Sequence, residues 1–180
     1  MIIGLQGYAG SGKSTVASYL VERYGFARRH IKFPLAKMFV SLLIDSGLGE
    51  THDQIERYVN GDLKRTPIPE LGNRSATEIQ QFLGTEFGRE FIHPDLWLDI
   101  WSKWAAGHER VVQESVRFAN EAERCDVIWE IRRPGFEAHN GHVSEGLPSD
   151  CPNAVLVNSG NVEDLYGRID RLLDVPLGPL

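Results

Sequence analysis

A glycine-rich segment near the start of the chain carries the residue types of a phosphate-binding loop. The stretch GLQGYAGSGKSTVA, residues 4–17, fits the pattern G-x-x-x-x-G-K-S/T at Gly7, Gly12, Lys13 and Ser14. Glycines permit the turn that points backbone N–H groups at phosphate oxygens, the lysine reaches the β- and γ-phosphates, and the serine hydroxyl binds Mg²⁺. The predicted nucleotide contacts are Gly7, Tyr8, Ala9, Gly10, Ser11, Gly12, Lys13, Ser14 and Thr15.

The residues that flank this loop have the pattern that a phosphate-binding loop requires. The apolar run at residues 1–6 predicts a buried strand, and residues 14–24 carry apolar side chains at helical spacing. Gly25 then ends the predicted helix. The order of strand, loop and helix favours a nucleotide-binding loop over a chance glycine-rich turn.

Strands alternate with helices along the rest of the chain, which predicts an α/β fold with a parallel sheet covered on both faces. Further strands are expected at residues 28–33, 110–113, 127–131 and 154–157. Helices are expected at residues 35–44, 54–59, 75–83, 85–91, 95–106, 118–124 and 162–173, with a capping box from Ser75 to Glu78 and a break at Gly84. The prediction is a three-layer P-loop NTPase fold.

The length of 180 residues favours one domain with insertions. We expect a core at about residues 1–34 and 108–180, a helical insertion at about 35–107 and a lid at about 132–150. The insertion would stand over the carboxyl ends of the strands, where ligands bind in open α/β folds. A monomer or a homodimer is expected.

Composition and charge narrow the classes of partner. The net charge of −6 disfavours a general nucleic-acid binder, which would normally be basic. Cys125 and Cys151 are too few for a disulfide framework and predict free thiols in a reducing cytoplasm. The N-terminal run reads as a core strand rather than a signal peptide, and no apolar run is long enough to span a membrane.

A phosphate-binding loop alone does not distinguish a GTPase, an ATPase motor and a small-molecule kinase. The chain has neither the N-K-x-D nor the D-x-x-G pattern of GTPases, and its nearest approach to a Walker B strand is Val111–Glu114. Small size and the helical insertion favour a kinase of nucleotides or similar metabolites. A kinase of a coenzyme precursor or a sugar acid, and an NTP-dependent switch or ATPase, stay open as alternatives.

Three further segments sharpen this choice. The stretches FLGTEFGREFIHPDLWLDIW (82–101), VVQESVRFANEAE (111–123) and HVSE (142–145), in this order, resemble the phage-type deoxynucleoside monophosphate kinases over nearly the whole chain. The resemblance implies transfer of the γ-phosphate of ATP, with Mg²⁺, to a deoxynucleoside 5′-monophosphate for dNTP synthesis. It also implies a phage protein acting in the host cytoplasm.

The chain departs from this family at two positions. Ser115 stands where the family usually has an aspartate, so Glu114 is the candidate acid for the metal, unless the contact runs through water. The family's S-x-R pattern is replaced by Ser75-Ala76-Thr77, and Arg74 is the candidate arginine because it lies on nearly the same helical face.

Phosphoryl transfer needs positioning and positive charge more than covalent chemistry. The predicted catalytic residues are Lys13, Arg117, Arg132 and Arg133. Arg117 follows the third strand and would hold the acceptor phosphate, unless it is a surface ion-pair partner of Glu121 or Glu123. Arg132 and Arg133 would neutralise charge from a closing lid, with at least one of them catalytic, or form a solvated strand end.

Binding residues are predicted on both sides of the reaction. The acceptor candidates are Phe33, Lys37, Arg65, Arg74, Gln81, Gly84, Thr85, Trp97, Arg117 and Glu121. Phe33 would stack on the base, Gln81 would read a base edge, and Trp97 would line the base or exclude water. For the donor, Asn158, Ser159 and Gly160 would pack against adenine, while Asn158 or Ser159 would also cap the last helix.

Overall fold

The structure is a computed structural model that describes residues 1–136, 147–148 and 150–174. The chain divides into two compact units. We call Met1–His30 together with Ser102–Leu180 the sheet unit, and Ile31–Trp101 the helical unit.

The helices and strands follow one another from the N-terminus. In chain order they are β1 (Ile2–Gln6), α1 (Lys13–Tyr24), β2 (Ala27–Arg28), α2 (Phe33–Asp45), α3 (His52–Val59), β3 (Pro67–Ile68), β4 (Arg74–Ser75), α4 (Ala76–Phe82), a π-helix (Leu83–Ile92), α5 (Leu96–Ala105), β5 (Val111–Gln113), α6 (Ala119–Ala122), β6 (Val127–Arg132), β7 (Ala154–Val157) and α7 (Val162–Asp174). Short 3₁₀ turns occupy Asp62–Arg65 and Pro69–Leu71. None of the described helices combines the length and apolar character that crossing a bilayer requires.

The sheet unit is built on five parallel strands in the order β2-β5-β1-β6-β7. The central strand β1 pairs with β5 on one side and β6 on the other, so Gly4 faces Gln113 and Ile128. Gln6, the last residue of β1, lies in register with Glu130. The predicted α/β fold with a parallel sheet is confirmed.

An apolar core joins the sheet to helices α1 and α7. Its fully buried side chains include Leu5 on β1, Leu20 on α1 and Ile169 on α7. Each such side chain contributes about 1.5–3 kcal/mol by leaving water. Helix α1 ends at Gly25, where a φ of 69° closes the helix and the N–H donates to the carbonyl of Val21. The core therefore fixes the strand–loop–helix segment that carries the phosphate-binding pattern.

The helical unit has its own small core of Phe39, Leu43, Ile68 and Ala76. Helix α4 begins with a reciprocal capping box in which the Ser75 side chain accepts from the Glu78 N–H and the Glu78 carboxylate accepts from the Ser75 N–H. This confirms the capping box predicted from the sequence.

Two expectations about secondary structure are wrong. The predicted strand over residues 28–33 ends at Arg28, and Phe33 begins α2, because Pro34 is favourable in the first turn of a helix. The predicted break at Gly84 is absent, since the chain continues through it as a π-helix. Tertiary contacts of the π-helix override the low helix propensity of glycine.

Candidate active site

The loop between β1 and α1 requires glycine at three positions. Gly7, Gly10 and Gly12 have φ values of 142°, 78° and 107°, which side chains rarely adopt. A Cβ at Gly7 would lie 2.4 Å from the carbonyl oxygen of Ile131, and one at Gly12 would lie 2.6 Å from Nδ2 of Asn158. The loop therefore closes against the ends of β6 and β7 as only glycine allows.

The polar groups of this loop suit an anion. Gly12 caps α1 with no side-chain hydrogen bond, so the helix presents its first N–H groups at the loop. The buried Ser11 Oγ has no hydrogen-bond partner within the described residues, and Ser14 is exposed in the first turn of α1. These groups fit the oxygens of a polyphosphate and of the hydrated Mg²⁺ that accompanies it. Within the same described ranges, no three His, Cys, Asp or Glu side chains gather as a metal site.

Lys13 lies against the backbone of the same loop. Its Nζ donates to the carbonyl oxygens of Gly7 at 2.6 Å and Tyr8 at 2.9 Å. The pKa of Lys13 is lowered by burial and by the Arg117 guanidinium, while the Glu114 carboxylate raises it. Three residues predicted as site residues from distant parts of the sequence therefore lie within electrostatic reach of one another.

Arg117 is held at the end of β5 by its neighbours. The N–H of Val116 donates to the Leu5 carbonyl at 3.0 Å, which fixes this turn to β1. The Arg117 Nε donates to Ser115 Oγ at 3.1 Å, and the Arg117 backbone N–H donates to the buried Glu121 carboxylate at 2.8 Å. Ser115 thus orients the Arg117 guanidinium, and Glu121 holds the Arg117 backbone.

Glu114, predicted as a metal ligand, has a cationic partner in the structure. Its carboxylate accepts a hydrogen bond from Arg28 Nη2, and Arg28 Nη1 donates to Ser18 Oγ at 3.0 Å. The Glu114 side chain is largely buried beside this pair.

Arg132 is the last residue of β6 and Arg133 follows it, and the two side chains have different partners. Arg132 donates through Nε and Nη2 to the two carboxylate oxygens of Glu130, which raises the pKa of Arg132. Arg133 Nη1 donates to the Gly10 carbonyl at 3.3 Å, and its guanidinium lies 4.7 Å from the centroid of the Phe136 ring. Most of the predicted lid, at residues 137–146 and 149, lies outside the described residues, together with His142 and Glu145.

Asn158, at the end of β7, contacts the phosphate-binding loop directly. Its backbone N–H donates to the Arg132 carbonyl at 2.7 Å, and its side-chain Nδ2 donates to the Ser11 carbonyl at 2.9 Å. Ser159 and Gly160 follow in the loop before α7. The cap of α7 is Asn161, whose Oδ1 accepts from the Asp164 N–H at 2.8 Å, so the expected cap at Asn158 or Ser159 is wrong.

Several residues predicted to bind the acceptor lie in the helical unit, at a ring contact, a cavity and a 3₁₀ turn. Lys37 Nζ lies 5.3 Å from the centroid of the half-exposed Phe33 ring. Arg74 and Gln81 line a cavity of about 540 Å³ together with Glu78, Ile79, Phe82 and Glu86. Arg65 ends a 3₁₀ turn whose Lys64 carbonyl accepts from Thr77 Oγ1 at 3.0 Å.

Trp97 is buried and supports the π-helix. Its side chain is 4% exposed, and its Nε1 donates to the Gly84 carbonyl at 2.9 Å. A Cβ at Gly88 would lie 2.2 Å from the same Nε1. The indole therefore fixes the backbone that carries Gly84 and Thr85.

Comparison with known proteins supports the chemistry that this geometry suggests. The chain matches no protein-family profile. It is 30% identical to the putative deoxynucleotide monophosphate kinase of Acanthamoeba polyphaga mimivirus. The alignment has 193 positions and covers 97% of this chain and 96% of the relative. The chain belongs to the deoxynucleotide monophosphate kinase family.

A more distant relative agrees with this family, and a solved structure agrees with the fold. The chain is 25% identical to the deoxynucleoside-5′-monophosphate kinase of Escherichia phage T5, over 100% of this chain and 98% of that protein. A crystal structure from Thermus thermophilus superposes with a TM-score of 0.55 at 18% identity, covering 99% of this chain and 98% of that one. The second match bears on the fold alone.

The sequence reasoning missed two residues near the glycine-rich loop. Glu130 holds Arg132, and the Phe136 ring packs over Gly10, where a Cβ would lie 2.5 Å from it. An acid inside the apolar strand VIWEIR was the available signal for Glu130, because a charge in a buried strand needs a partner. No comparable signal marked Phe136.

Proposed function

We propose that this chain transfers the γ-phosphate of ATP to a deoxynucleoside 5′-monophosphate and releases the diphosphate for dNTP synthesis. The observation that carries the proposal is the glycine-rich loop between β1 and α1, where Lys13 Nζ is hydrogen-bonded to the Gly7 and Tyr8 carbonyls. Such a loop and its lysine form a cradle for phosphates, and Arg117 and Glu114 are the further cation and the acid proposed for phosphoryl transfer. The family membership supplies the class of acceptor.

On the donor side, the loop N–H groups and Lys13 bind the ATP phosphates. On phosphate binding, the Lys13 ammonium exchanges the carbonyls of Gly7 and Tyr8 for the β- and γ-phosphate oxygens. Ser14 and Glu114 are the proposed metal contacts, and Mg²⁺ would neutralise charge on the phosphates when bound. Asn158 braces the loop through Ser11, and Ser159 and Gly160 are proposed to lie against adenine.

On the acceptor side, Arg117 binds the phosphate of the monophosphate through its guanidinium. The bond that Arg117 Nε donates to Ser115 Oγ holds the guanidinium in one orientation, which lowers the entropy cost of binding, and the Arg117 backbone N–H donates to the Glu121 carboxylate. The nucleoside contacts proposed in the helical unit are Phe33, Lys37, Arg65, Arg74, Gln81, Gly84 and Thr85, with Trp97 supporting the last two through the Gly84 carbonyl.

The setting follows from the same proposal. The protein acts as one kinase domain, as a monomer or a homodimer, in the cytoplasm of the infected host, without a nucleic-acid or membrane partner. Arg132 and Arg133 bring positive charge to the transferred phosphate from the end of β6.

The test is ADP release from ATP and Mg²⁺ with each of the four deoxynucleoside monophosphates and their ribose counterparts offered singly. The proposal predicts turnover that depends on particular deoxynucleotides and falls with the ribose counterparts. Equal slow ATP hydrolysis with every acceptor, or with none, would contradict it and favour an NTP-dependent ATPase.

A further inference from the structure

A carboxylate is buried at the end of β6, beside the phosphate-binding loop. Glu130 is 4% exposed and lies in register with Gln6, the residue that precedes the first glycine of the loop. The carbonyl oxygen of the next residue, Ile131, lies 2.4 Å from the position that a Cβ at Gly7 would take. A carboxylate at such a depth is costly unless it is paired and hydrogen-bonded.

The partner of this carboxylate is Arg132, two residues on and therefore on the same face of the strand. Arg132 donates to one Glu130 oxygen through Nε and to the other through Nη2, the latter at 3.1 Å. The Arg132 side chain is 60% exposed, whereas that of Glu130 is 5% exposed. The buried Glu130 carboxylate thus holds one edge of the Arg132 guanidinium, and the other edge is exposed.

The number of N–H donors left on the Arg132 guanidinium decides whether it can also bind a phosphate. A guanidinium has five N–H groups, of which the bidentate pair uses two. Nη1 and the second N–H of Nη2 stay directed away from Glu130. Arg133 has no such arrangement, because its guanidinium lies over Phe136 and donates to the Gly10 carbonyl. The two neighbouring arginines are therefore prepared differently.

We propose that Glu130 is a positioning residue that fixes Arg132 at the end of β6 as a preorganised hydrogen-bond donor to the phosphates of ATP. The inference rests on the proposed function and assigns a role to Glu130 that the phosphate-binding pattern does not contain. It also separates Arg132, which is fixed before ATP binds, from Arg133.

The decisive variant is Glu130→Gln, which keeps the shape and removes one acceptor. Its amide NH₂ would face a donor of Arg132, so the guanidinium loses its fixed orientation. We expect kcat/KM for ATP to fall about 10- to 100-fold, with the KM for the monophosphate and the melting temperature little changed. Wild-type kinetics in this variant would overturn the proposal.

A double-mutant cycle shows whether Glu130 acts through Arg132. Arg132→Gln removes the cation but leaves an amide donor for the Glu130 carboxylate, which avoids an unpaired buried charge. We expect kcat/KM of the double variant to match that of Arg132→Gln within about twofold, because Glu130 can position Arg132 only when the arginine is present. If the two losses multiply, Glu130 has a separate structural role and the proposal fails.

The same cycle is measured as the Kd for the analogue AMP-PNP with Mg²⁺, by isothermal titration. This measurement needs no turnover. Absence of acceptor-dependent activity would refute the proposed function, and the binding cycle would still test the coupling between Glu130 and Arg132. Non-additive losses of affinity support the inference, and additive losses overturn it.

The matched control is Asp170→Asn. Asp170 also accepts two side-chain hydrogen bonds, from the hydroxyls of Tyr19 at 2.8 Å and Tyr24 at 2.6 Å, but it belongs to α7. We expect this variant to keep wild-type kcat/KM and AMP-PNP affinity. A loss equal to that of Glu130→Gln would mean that any lost carboxylate pair impairs the enzyme, and would overturn the specific role.

Discussion

The sheet unit and the helical unit hold their charged groups in different ways. In the sheet unit, Lys13 donates hydrogen bonds to two backbone carbonyls, and Arg132 donates to the buried carboxylate of Glu130. In the helical unit, the ion pair of Arg74 and Glu78 has side chains 69% and 49% exposed, and such pairs contribute little to rigidity. The charged groups proposed for phosphate chemistry are therefore preorganised, whereas a charged group proposed for nucleoside recognition, Arg74, lies on an exposed and adaptable surface.

This contrast predicts larger losses of catalysis or substrate affinity from variants of the sheet unit than from variants of the helical unit, which change mainly the KM of the acceptor. The following changes test the contrast from the largest expected effect to the smallest.

Lys13→Ala should lower kcat on the order of 10³-fold, because it removes the cation that meets the charge on the transferred phosphate. Steady-state kinetics with ATP and the preferred monophosphate measure the effect. Lys103→Ala, which removes an exposed lysine of α5, is the matched control and should retain wild-type kcat. Unimpaired turnover in Lys13→Ala would refute the assigned loop.

Arg117→Ala should lower kcat/KM for the monophosphate about 100-fold while the Kd for ATP changes little, because the variant lacks the guanidinium proposed to bind the acceptor phosphate. Initial rates at varied acceptor concentration measure this split. Arg171→Ala, on the exposed face of α7, serves as the control. A loss confined to ATP binding would move Arg117 to the donor side.

Gly7→Ala should weaken ATP binding at least about tenfold and destabilise the protein by about 1–3 kcal/mol. The new Cβ would lie 2.4 Å from the Ile131 carbonyl at a φ of 142°. Gly25→Ala shares the positive φ, at 69°, but its Cβ would meet nothing within 4 Å. It should cost about 1–2 kcal/mol by strain alone and leave ATP affinity unchanged. Equal ATP affinities in the two variants would contradict the tight closure of the loop.

Gly88→Ala should raise the KM of the acceptor a few-fold and destabilise the protein by about 1–3 kcal/mol, since its Cβ would lie 2.2 Å from the Trp97 indole. Gly84→Ala, four positions earlier in the π-helix, would have only Leu35 Cδ2 at 3.7 Å as a neighbour and should not lose stability. Thermal melting compares the two. Equal melting temperatures would show that Trp97 does not fix the π-helix.

How far the sequence predicts the molecule depends on whether local rules or tertiary contacts decide each feature. The strand, loop and α1 were predictable because glycine, lysine and serine have backbone and phosphate roles at fixed spacing. The capping box of Ser75 and Glu78 was predictable for the same local reason. By contrast, the helix continues through Gly84, where a contact with Trp97, thirteen residues away, overrides the local preference of glycine.

The charged groups follow the same division. Single cations such as Lys13 and Arg117 could be proposed from their position after a strand, but their partners could not. The pairing of Glu114 with Arg28 joins two strands that are 86 residues apart in sequence, and no local pattern encodes it. The difference between Arg132 and Arg133 likewise depends on the partner of each, since Arg132 donates to the buried Glu130 and Arg133 to the Gly10 carbonyl.

The central claim is that the terminal phosphate of ATP reaches a deoxynucleoside monophosphate and not water. The most direct measurement follows γ-³²P-labelled ATP with Mg²⁺ and the preferred monophosphate, separating the products by thin-layer chromatography. The account predicts that the label appears in the deoxynucleoside diphosphate as ATP is consumed. Label found only as inorganic phosphate would contradict it.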